Sequence, residues 1–144
     1  MQLAHVIDDL PSSFEAMRAE ARAEGYQHLE RLAVDWASRA MRFDGEGEAL
    51  LAMHVDGSLA GIGGLTSEAA VPDAFRMRRL YVRPLFRRQG IGSKLALILV
   101  ERAFRTGRLV TVNAGNVDAA AFWETLGFAP NLRDGYTHIL HHPR

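Results

Sequence analysis

The sequence predicts an α/β (α+β) domain in which a mixed β-sheet lies between two layers of helices. Two strand-like segments, Ala49 to Val55 and Ser58 to Thr66, flank Asp56-Gly57, a pair typical of a two-residue antiparallel hairpin. Farther along the chain, strand-like and helical segments alternate, as in parallel strands joined by crossover helices. The chain has 144 residues, of which 48% are hydrophobic, so we expect one core and a single domain over residues 1–144.

One strand and two amphipathic helices are expected before the hairpin. Leu3 to Ile7 has the pattern of a strand. Ser12-Ser13-Phe14-Glu15 has the spacing of a capping box, which predicts a helix that begins there and ends at Gly25. Apolar residues at helical spacing predict a second helix from Gln27 to Arg42. Trp36 lies on its apolar stripe, where packing in the core is the simplest role and contact with a substrate is the alternative.

Strands and helices alternate after the hairpin begins. Glycines at 61, 63 and 64 weaken the second hairpin strand; they either allow a substrate or a neighbouring backbone to approach closely or form a bulge without a functional role. The later elements are expected as strands from Phe75 to Val82 and from Leu109 to Asn113, helices from Gly90 to Arg105 and from Asp118 to Leu126, a short strand at Phe128 and a last antiparallel strand from Tyr136 to His141.

Composition and charge argue against several classes of protein. The 17 basic and 17 acidic residues leave no net charge, which argues against nucleic acid or an anionic membrane as the main partner. Without cysteine, the chain has no disulfide, no thiolate nucleophile and no cysteine metal site. The N-terminus shows neither a basic leader nor a long apolar segment, so a cytoplasmic location is expected. The first half is acidic and would suit a cationic amine unless its carboxylates are only solvated, whereas arginines dominate from Arg76 to Lys94.

The most informative segment is the turn before the first crossover helix, Arg87-Arg88-Gln89-Gly90-Ile91-Gly92-Ser93. The first N–H groups of a helix lack intrahelical partners and lie at the positive end of its dipole, so they bind phosphate readily. Glycine at 90 and 92 removes side chains that would hold a pyrophosphate away. The spacing matches neither the P-loop nor the dinucleotide fingerprint, because Ser93 precedes Lys94 and Leu95 stands in place of a third glycine.

Two segments carry a family resemblance. Arg87-Arg88-Gln89-Gly90-Ile91-Gly92, preceded by a Leu-x-Val-x-Pro strand end, resembles the acetyl-CoA-binding motif of the GNAT superfamily of N-acyltransferases. The segment Asn116-Val117-Asp118-Ala119-Ala120-Ala121-Phe122-Trp123-Glu124-Thr125-Leu126-Gly127-Phe128 is similar to the family's Asn-x-x-Ala-x-x-Phe-Tyr-x-x-x-Gly-Phe and follows in the same order. The resemblance is strongest from Ala49 to Phe128 and implies the GNAT fold over most of the chain.

The resemblance implies acetyl-CoA as co-substrate and direct attack of an amine on the thioester in a ternary complex. The backbone of Leu80 and Val82 would pair with the pantetheine in a gap between two strands, and one of these N–H groups, assigned to Val82, would face the thioester oxygen. Whether the protein forms a homodimer is left open at this point. The residues expected around the cofactor are Leu80, Val82, Arg87, Arg88, Gln89, Gly90, Ile91, Gly92, Ser93, Asn116 and Phe122.

The sequence departs from the family at the positions for proton transfer. Trp123 stands where the family often has a tyrosine that protonates the leaving thiolate, and an indole N–H does not act as an acid near neutral pH. Trp123 is either a packing residue beside the cofactor or a catalytic donor, and the other proton sources are water, the substrate, Tyr81 or Tyr136. The motif strand also lacks an early carboxylate. The general base stays unassigned among Glu46, Glu48, Glu68, Asp73 and His54.

Arginines on the motif strand are candidates for binding the acceptor, together with Trp36. Strand alternation would place Arg76 and Arg78 on one face and Arg79 with Tyr81 on the other. A guanidinium in the groove would bind a carboxylate or phosphate, whereas surface ion pairs are the alternative. Near the C-terminus, His138, His141 and His142 are not spaced for chelation, so no metal is assigned.

Functions from different classes fit these observations. One is an N-acetyltransferase that acts on a primary amine of a small molecule or peptide. Another is a catalytically weak acetyl-CoA-binding module that senses or regulates, which the missing tyrosine and carboxylate favour. An unrelated phosphate-binding domain is the third.

Overall fold

A computed structural model describes residues 1–143, in which seven strands form one sheet accompanied by four α-helices. The elements are β1 (Gln2–His5), α1 (Phe14–Ala23), α2 (His28–Ser38), β2 (Ala49–Val55), β3 (Ser58–Ser67), β4 (Ala74–Val82), a 3-10 turn (Pro84–Phe86), α3 (Ile91–Ala103), β5 (Leu109–Val112), α4 (Val117–Thr125), β6 (Ala129–Arg133) and β7 (Tyr136–His141).

The sheet lies between two helical layers. Its strand order is β1-β2-β3-β4-β5-β7-β6, with β4 and β5 parallel and the other neighbours antiparallel. Helices α1 and α2 cover one face around Met17 and Leu32, and α3 and α4 cover the other around Leu95 and Trp123. The predicted three-layer α/β arrangement is therefore confirmed. None of the helices in residues 1–143 has the length and apolar character needed to cross a membrane.

The start of α1 and the end of α2 differ from what the sequence predicts. The expected capping box is wrong, because Ser13 has a φ of −94° and a ψ of 11° instead of an extended conformation, and no side chain caps α1. The second helix ends at Ser38 rather than Arg42, because Arg39 is left-handed with a φ of 65°. After this left-handed residue the chain turns back, so that Arg42 Cζ lies 4.4 Å from the centroid of the Trp36 ring. Arg42 Nε also donates to the Trp36 carbonyl.

The hairpin and the last strands follow the expected order. Asp56 and Gly57 join β2 to β3 with positive φ values of 50° and 81°, which confirms the two-residue turn. The short strand expected at Phe128 instead spans Ala129–Arg133, and Phe128 is buried in the core at 2% exposure. The strand expected from Tyr136 to His141 is confirmed.

The glycines of β3 admit protein side chains on both faces of the sheet. A Cβ at Gly61 would lie 3.1 Å from Leu95 Cδ1 of α3. On the opposite face, a Cβ at Gly64 would overlap the Phe43 ring and lie 3.2 Å from Leu50 Cδ1. The close approach that these glycines allow is therefore to the two hydrophobic cores.

A β-bulge in β4 lies just beyond the point where its short parallel contact with β5 ends. The residue pairs between these strands run from Ala74 with Leu109 to Arg76 with Thr111, and no later pair joins them in the described chain. Beyond that contact, β4 has one extra residue opposite β3, and Arg79 has a φ of 58°. A bulge bends its strand, so the C-terminal half of β4 leaves a gap in the sheet.

Replacing Gly64 with alanine tests the packing of Phe43 on the sheet. We expect Gly64→Ala to reduce the free energy of unfolding by about 1–3 kcal/mol, because the new methyl group overlaps the ring. Chemical denaturation with a matched Gly115→Ala control measures the effect. A Cβ at Gly115 meets no atom within 4 Å, so its change should stay within about 0.5 kcal/mol. Equal stability of the two variants would contradict this account of the glycine.

Candidate functional site

A cleft of about 1100 Å³ occupies the gap between β4 and β5. Gly92 and Phe122 line it on the side covered by α3 and α4. His28 and Arg31 of α2 line it on the side covered by α1 and α2. The cleft thus passes through the sheet, so two ligands can meet at the edge of β4 from opposite faces.

The turn before α3 presents a row of free backbone donors. The N–H of Lys94 donates to the Gly90 carbonyl, but within residues 1–143 no protein group accepts from the N–H groups of residues 88 to 93. Arg88 and Gly90 both have positive φ, at 64° and 75°. Left-handed residues among right-handed ones turn successive N–H groups toward a common point, forming an anion-binding concavity. The positive end of the α3 dipole adds to it.

The side chains of this turn contribute unequally to the cleft. Arg87 lines it, as does the backbone of Gly92. Ile91 is 1% exposed and packs in the core, so only its N–H faces an anion. Arg88, Gln89 and Ser93, which were also expected to contact the cofactor, belong to the turn but do not line the cleft.

Glu24 of the α1–α2 connection holds two side chains of the cleft. Arg87 donates to both Glu24 oxygens at 2.7 and 2.6 Å, and these bonds lower the pKa of the Glu24 carboxyl. The Tyr81 hydroxyl donates to the same carboxylate at 2.5 Å. Burial, and then this bond, raise the pKa of Tyr81 above its ordinary value. A role for Tyr81 as the proton donor to a thiolate is therefore unfavourable, because its proton is held by Glu24.

Backbone groups of β4 face the gap where β5 no longer pairs with it. The N–H of Arg83 donates to β3 at 2.8 Å, so strand alternation directs the backbone of Val82 and Leu80 toward the gap. The Val82 carbonyl accepts from Arg87 Nε at 3.0 Å, and the Leu80 carbonyl lies 3.0 Å from His28 Nε2. Side chains thus contact both carbonyls, whereas the N–H groups of Leu80 and Val82 face the gap, where a ligand could accept from them.

His28 is a cleft residue that the sequence did not indicate as part of a site, as is Arg31 of the same helix. A carbonyl only accepts, so the contact with Leu80 places the proton on Nε2 and leaves a free lone pair on Nδ1 in the neutral ring. Burial lowers the pKa of His28 below its ordinary 6.5, although the bond to Leu80 opposes this shift. The ring packs edge-on against Tyr26 and Tyr81, at centroid distances of 5.6 and 5.7 Å. No local spacing marks this residue, because its partner is 52 positions away.

The second motif forms the opposite wall. Asn116 caps α4, with its Oδ1 accepting from the Ala119 N–H at 2.8 Å. Phe122 is half-buried and lines the cleft, with its ring centroid 5.0 Å from that of Trp123. Trp123 is 5% exposed and packs edge-on against Phe128 at 5.1 Å. Its indole therefore joins the cleft wall to the core.

The bulge changes which face the β4 arginines occupy. Arg79 was expected to share a face with Tyr81, opposite Arg78, and the separation from Arg78 is wrong. The extra residue returns Arg79 to the face of Arg78, where its Nη2 donates to Asp35 of α2 at 3.3 Å. Tyr81 shares that face, since it packs with the core of α1 and α2. Leu80 packs against the core of α3 instead.

Arg76 is engaged in a buried ion pair at the start of the gap. Its Nε and Nη2 donate to Glu68 at 2.8 and 2.5 Å, and the Thr111 hydroxyl donates to the same oxygen at 2.9 Å. Burial alone would raise the pKa of Glu68, but the bonds from Arg76, Ala70 and Thr111 outweigh it and lower that pKa. Glu68 is therefore an ion-pair partner with little capacity to act as a base.

Several other candidates lie outside the cleft. Trp36, considered for substrate contact, is 6% exposed and packs in the core of α1 and α2. His138 is bonded to Glu124 at 2.8 Å and to Thr137 at 2.7 Å. The carboxylates and histidine considered as bases also do not line the cleft, namely Glu46, Glu48, Glu68, Asp73 and His54. In residues 1–143, no group of three or more His, Asp or Glu side chains is arranged to hold a metal ion.

Comparison with known proteins gives a family for this fold and cleft. The model of the acetyltransferase (GNAT) family matches residues 10–128. No curated protein matches the sequence. A solved structure from Exiguobacterium sp. 255-15, described as an acetyltransferase, is 25% identical, with 97% of this chain and 92% of that chain covered at a TM-score of 0.86.

Two more distant structures share the fold and contain acetyl-CoA or coenzyme A. One is a GNAT family acetyltransferase from Brucella melitensis in complex with acetyl-CoA, 17% identical over 99% of this chain and 90% of that chain, with a TM-score of 0.65. The other is the PaiA N-acetyltransferase from Thermoplasma acidophilum in complex with coenzyme A, 18% identical over 96% and 97%, also with a TM-score of 0.65. By the family match across most of its length, the chain belongs to the GNAT family of acetyltransferases, transferases that use acetyl-CoA.

Proposed function

We propose that this protein transfers an acetyl group from acetyl-CoA to a primary amine of a small molecule or peptide, by direct attack in a ternary complex. The observation that carries this proposal is the row of free N–H groups at residues 88 to 93, which reaches a cleft crossing the sheet at Gly92. The row and the α3 dipole fit a pyrophosphate. We also propose a cytoplasmic location, where acetyl-CoA is available.

The residues of the cleft divide between the two substrates. Gly92, Asn116 and Phe122 would line the path of the pantetheine, and the N–H groups of Leu80 and Val82 would donate to it and to the thioester oxygen. Acetyl-CoA supplies an activated acyl group. The face of α1 and α2 would hold the amine, so the acceptor approaches from the side opposite α3.

We assign His28 as the general base. An amine of the lysine type has a pKa of about 10.4 and must lose a proton before it attacks. His28 lines the acceptor side of the cleft, and its bond to Leu80 holds the ring with Nδ1 free. Burial keeps the imidazole neutral at neutral pH, since it lowers the pKa of His28. A neutral imidazole with a free lone pair is the form that accepts a proton.

Gly92→Ala tests the cofactor site without disturbing the fold. The new methyl group would lie 3.4 Å from Val82 and 3.7 Å from Phe122, contacts the protein tolerates, but it would occupy the cleft. We expect calorimetry to show about tenfold or more weaker acetyl-CoA binding, and stability unchanged or increased by up to about 1 kcal/mol. Gly90 is less suitable, because its φ of 75° strains any replacement.

The matched control is Leu97→Ala on the same helix, where the side chain is 51% exposed. It should leave acetyl-CoA affinity unchanged. Unaltered affinity in Gly92→Ala would remove the proposed cofactor position. Tight acetyl-CoA binding by the wild type, with no release of CoA on addition of any amine, would instead support the sensor module.

His28→Gln tests the assigned base. We expect kcat to fall by about 100-fold or more with acetyl-CoA affinity unchanged, because glutamine retains a donor for Leu80 but accepts no proton. A base works when deprotonated, so the wild-type rate should fall as pH drops through the lowered pKa of His28, below 6.5. This acid limb should disappear in the variant. His54→Gln, on β2 and outside the cleft, is the control, and equal rates in both variants would reject the assignment.

Trp123→Phe tests the source of the thiolate proton. If water or another group supplies it, the variant should keep turnover within about threefold of the wild type, because an indole transfers no proton near neutral pH. Trp123→Tyr should not fall below the wild type. Phe128→Leu, a core change beside the same ring, controls for lost packing. A loss of about 100-fold in Trp123→Phe with acetyl-CoA affinity preserved would make the indole a catalytic donor.

A further inference from the structure

The acidic residues of the N-terminal half do not form an anionic groove. All five acidic side chains of the two N-terminal helices and their connection are bound to arginine, in the pairs Arg18–Glu15, Arg18–Glu30, Arg22–Glu30, Arg83–Glu20, Arg87–Glu24 and Arg79–Asp35. The acidic side chains that line the cleft are Glu24, which is one of these partners, and Asp118 at the start of α4. A cationic amine therefore finds little uncompensated negative charge on the acceptor side.

Arg78 is a cation in the cleft wall without a carboxylate partner in the described chain. Its Nε donates to the Thr66 hydroxyl at 3.1 Å, and neither Nη group donates to a protein acceptor within residues 1–143. Its neighbours Arg76 and Arg79 each hold a carboxylate. Arg78 thus presents both Nη groups to a ligand, in the geometry that binds an acid group with two bonds.

Arg78 adds an unpaired positive charge between two ion pairs, Arg76 with Glu68 and Arg79 with Asp35. Burial, and then the charges of Arg76 and Arg79, lower the pKa of its guanidinium. Such a half-buried cation is stabilised by an anion and destabilised by a second cation. The groove around it therefore favours an acid group and disfavours a polyamine.

A second cation lies on the facing helix. Arg31 is exposed on α2, lines the same cleft and has no ion-pair partner in residues 1–143. It follows His28 by three residues, so the two side chains share one face of the helix. Strand β4 and helix α2 thus each offer a free guanidinium to the acceptor side.

We propose that the acceptor is a primary amine whose own molecule carries an acid group, a carboxylate or a phosphate, and that Arg78 binds this group with Arg31 as the second cation. The inference rests on the proposed acetyl transfer. Arg78 precedes Leu80 by two residues on β4, and the Leu80 carbonyl holds His28. An acid group on Arg78 therefore anchors the acceptor beside the proposed base and the N–H groups that face the thioester.

Release of CoA from saturating acetyl-CoA, measured with matched amines, tests the inference. The panel compares amino acids with their methyl esters and O-phosphoethanolamine with ethanolamine. Spermidine is included as an amine without an acid group. We expect kcat/KM to be about tenfold or more higher for the acid-bearing member of a pair. The carboxylate and phosphate arms show which acid the site takes.

Arg78→Met should lower kcat/KM for acid-bearing amines by about 100-fold and leave their neutral analogues within about twofold. Arg78→Lys should restore part of the preference, because it keeps the charge without the fork. Arg105→Met, at an exposed arginine two residues beyond the C-terminal end of α3, is the matched control and should change nothing. Calorimetry supplies a readout besides turnover: amino-acid or aminophosphate binding to the CoA-loaded protein should weaken only in the Arg78 variants.

The outcomes separate this inference from the function on which it rests. Fastest release with spermidine or the esters, unaltered in Arg78→Met, would overturn the acid-bearing acceptor and leave acetyl transfer standing. Acetyl-CoA binding without release for any amine would overturn both the acceptor class and the enzymatic function. Loss of acetyl-CoA affinity in Arg78→Met would also overturn the inference, because the residue would then belong to the cofactor site.

Discussion

Strands β4 and β5 pair over a short distance and then separate, and the proposed chemistry depends on that separation. A continuous parallel sheet would satisfy the backbone groups of Leu80 and Val82 and leave no passage between its faces. The bulge at Arg79 adds a residue to β4 and bends it, so these groups point into a cleft instead. The sheet tolerates the gap because β3 pairs along β4 on one side and β7 pairs along β5 on the other.

Ion pairs connect α1 to the segment before α3 and so fix the relative position of the two sides of the cleft. Glu20 and Glu24, one helical turn apart, bind Arg83 and Arg87, which flank the 3-10 turn before α3. Exposed ion pairs contribute only about 0–1 kcal/mol each, so their main effect is on orientation. They fix the N-terminal helices, which would hold the acceptor, against the turn proposed to hold the cofactor. Arg87 is then already near the free N–H row.

The order of the elements and the phosphate-binding turn could be predicted because their signals are local. Asp56-Gly57 and the glycines at 90 and 92 act through the conformations of adjacent residues. The bulge could not be predicted, since Arg79 has none of the features of a left-handed position and adopts one only in its sheet. The position of His28 depends on a partner 52 residues away. The pairing of the acidic residues of α1 and α2 could not be predicted for the same reason, because three of their five arginine partners, Arg79, Arg83 and Arg87, lie far along the chain.

Local signals belong to one side of the cleft and contacts between distant residues belong to the other. The proposed cofactor side uses backbone N–H groups and glycines, whose geometry is set within a few residues, so a short sequence pattern is enough to indicate it. The proposed acceptor side uses side chains of α2 and β4, such as His28, Arg31 and Arg78, whose contacts are set by packing of the layers. Substitutions there change charge and shape without altering the turn. Selectivity for the amine can therefore change while acetyl-CoA binding is retained, which explains why the motifs identify the family and only the contacts point to an acceptor.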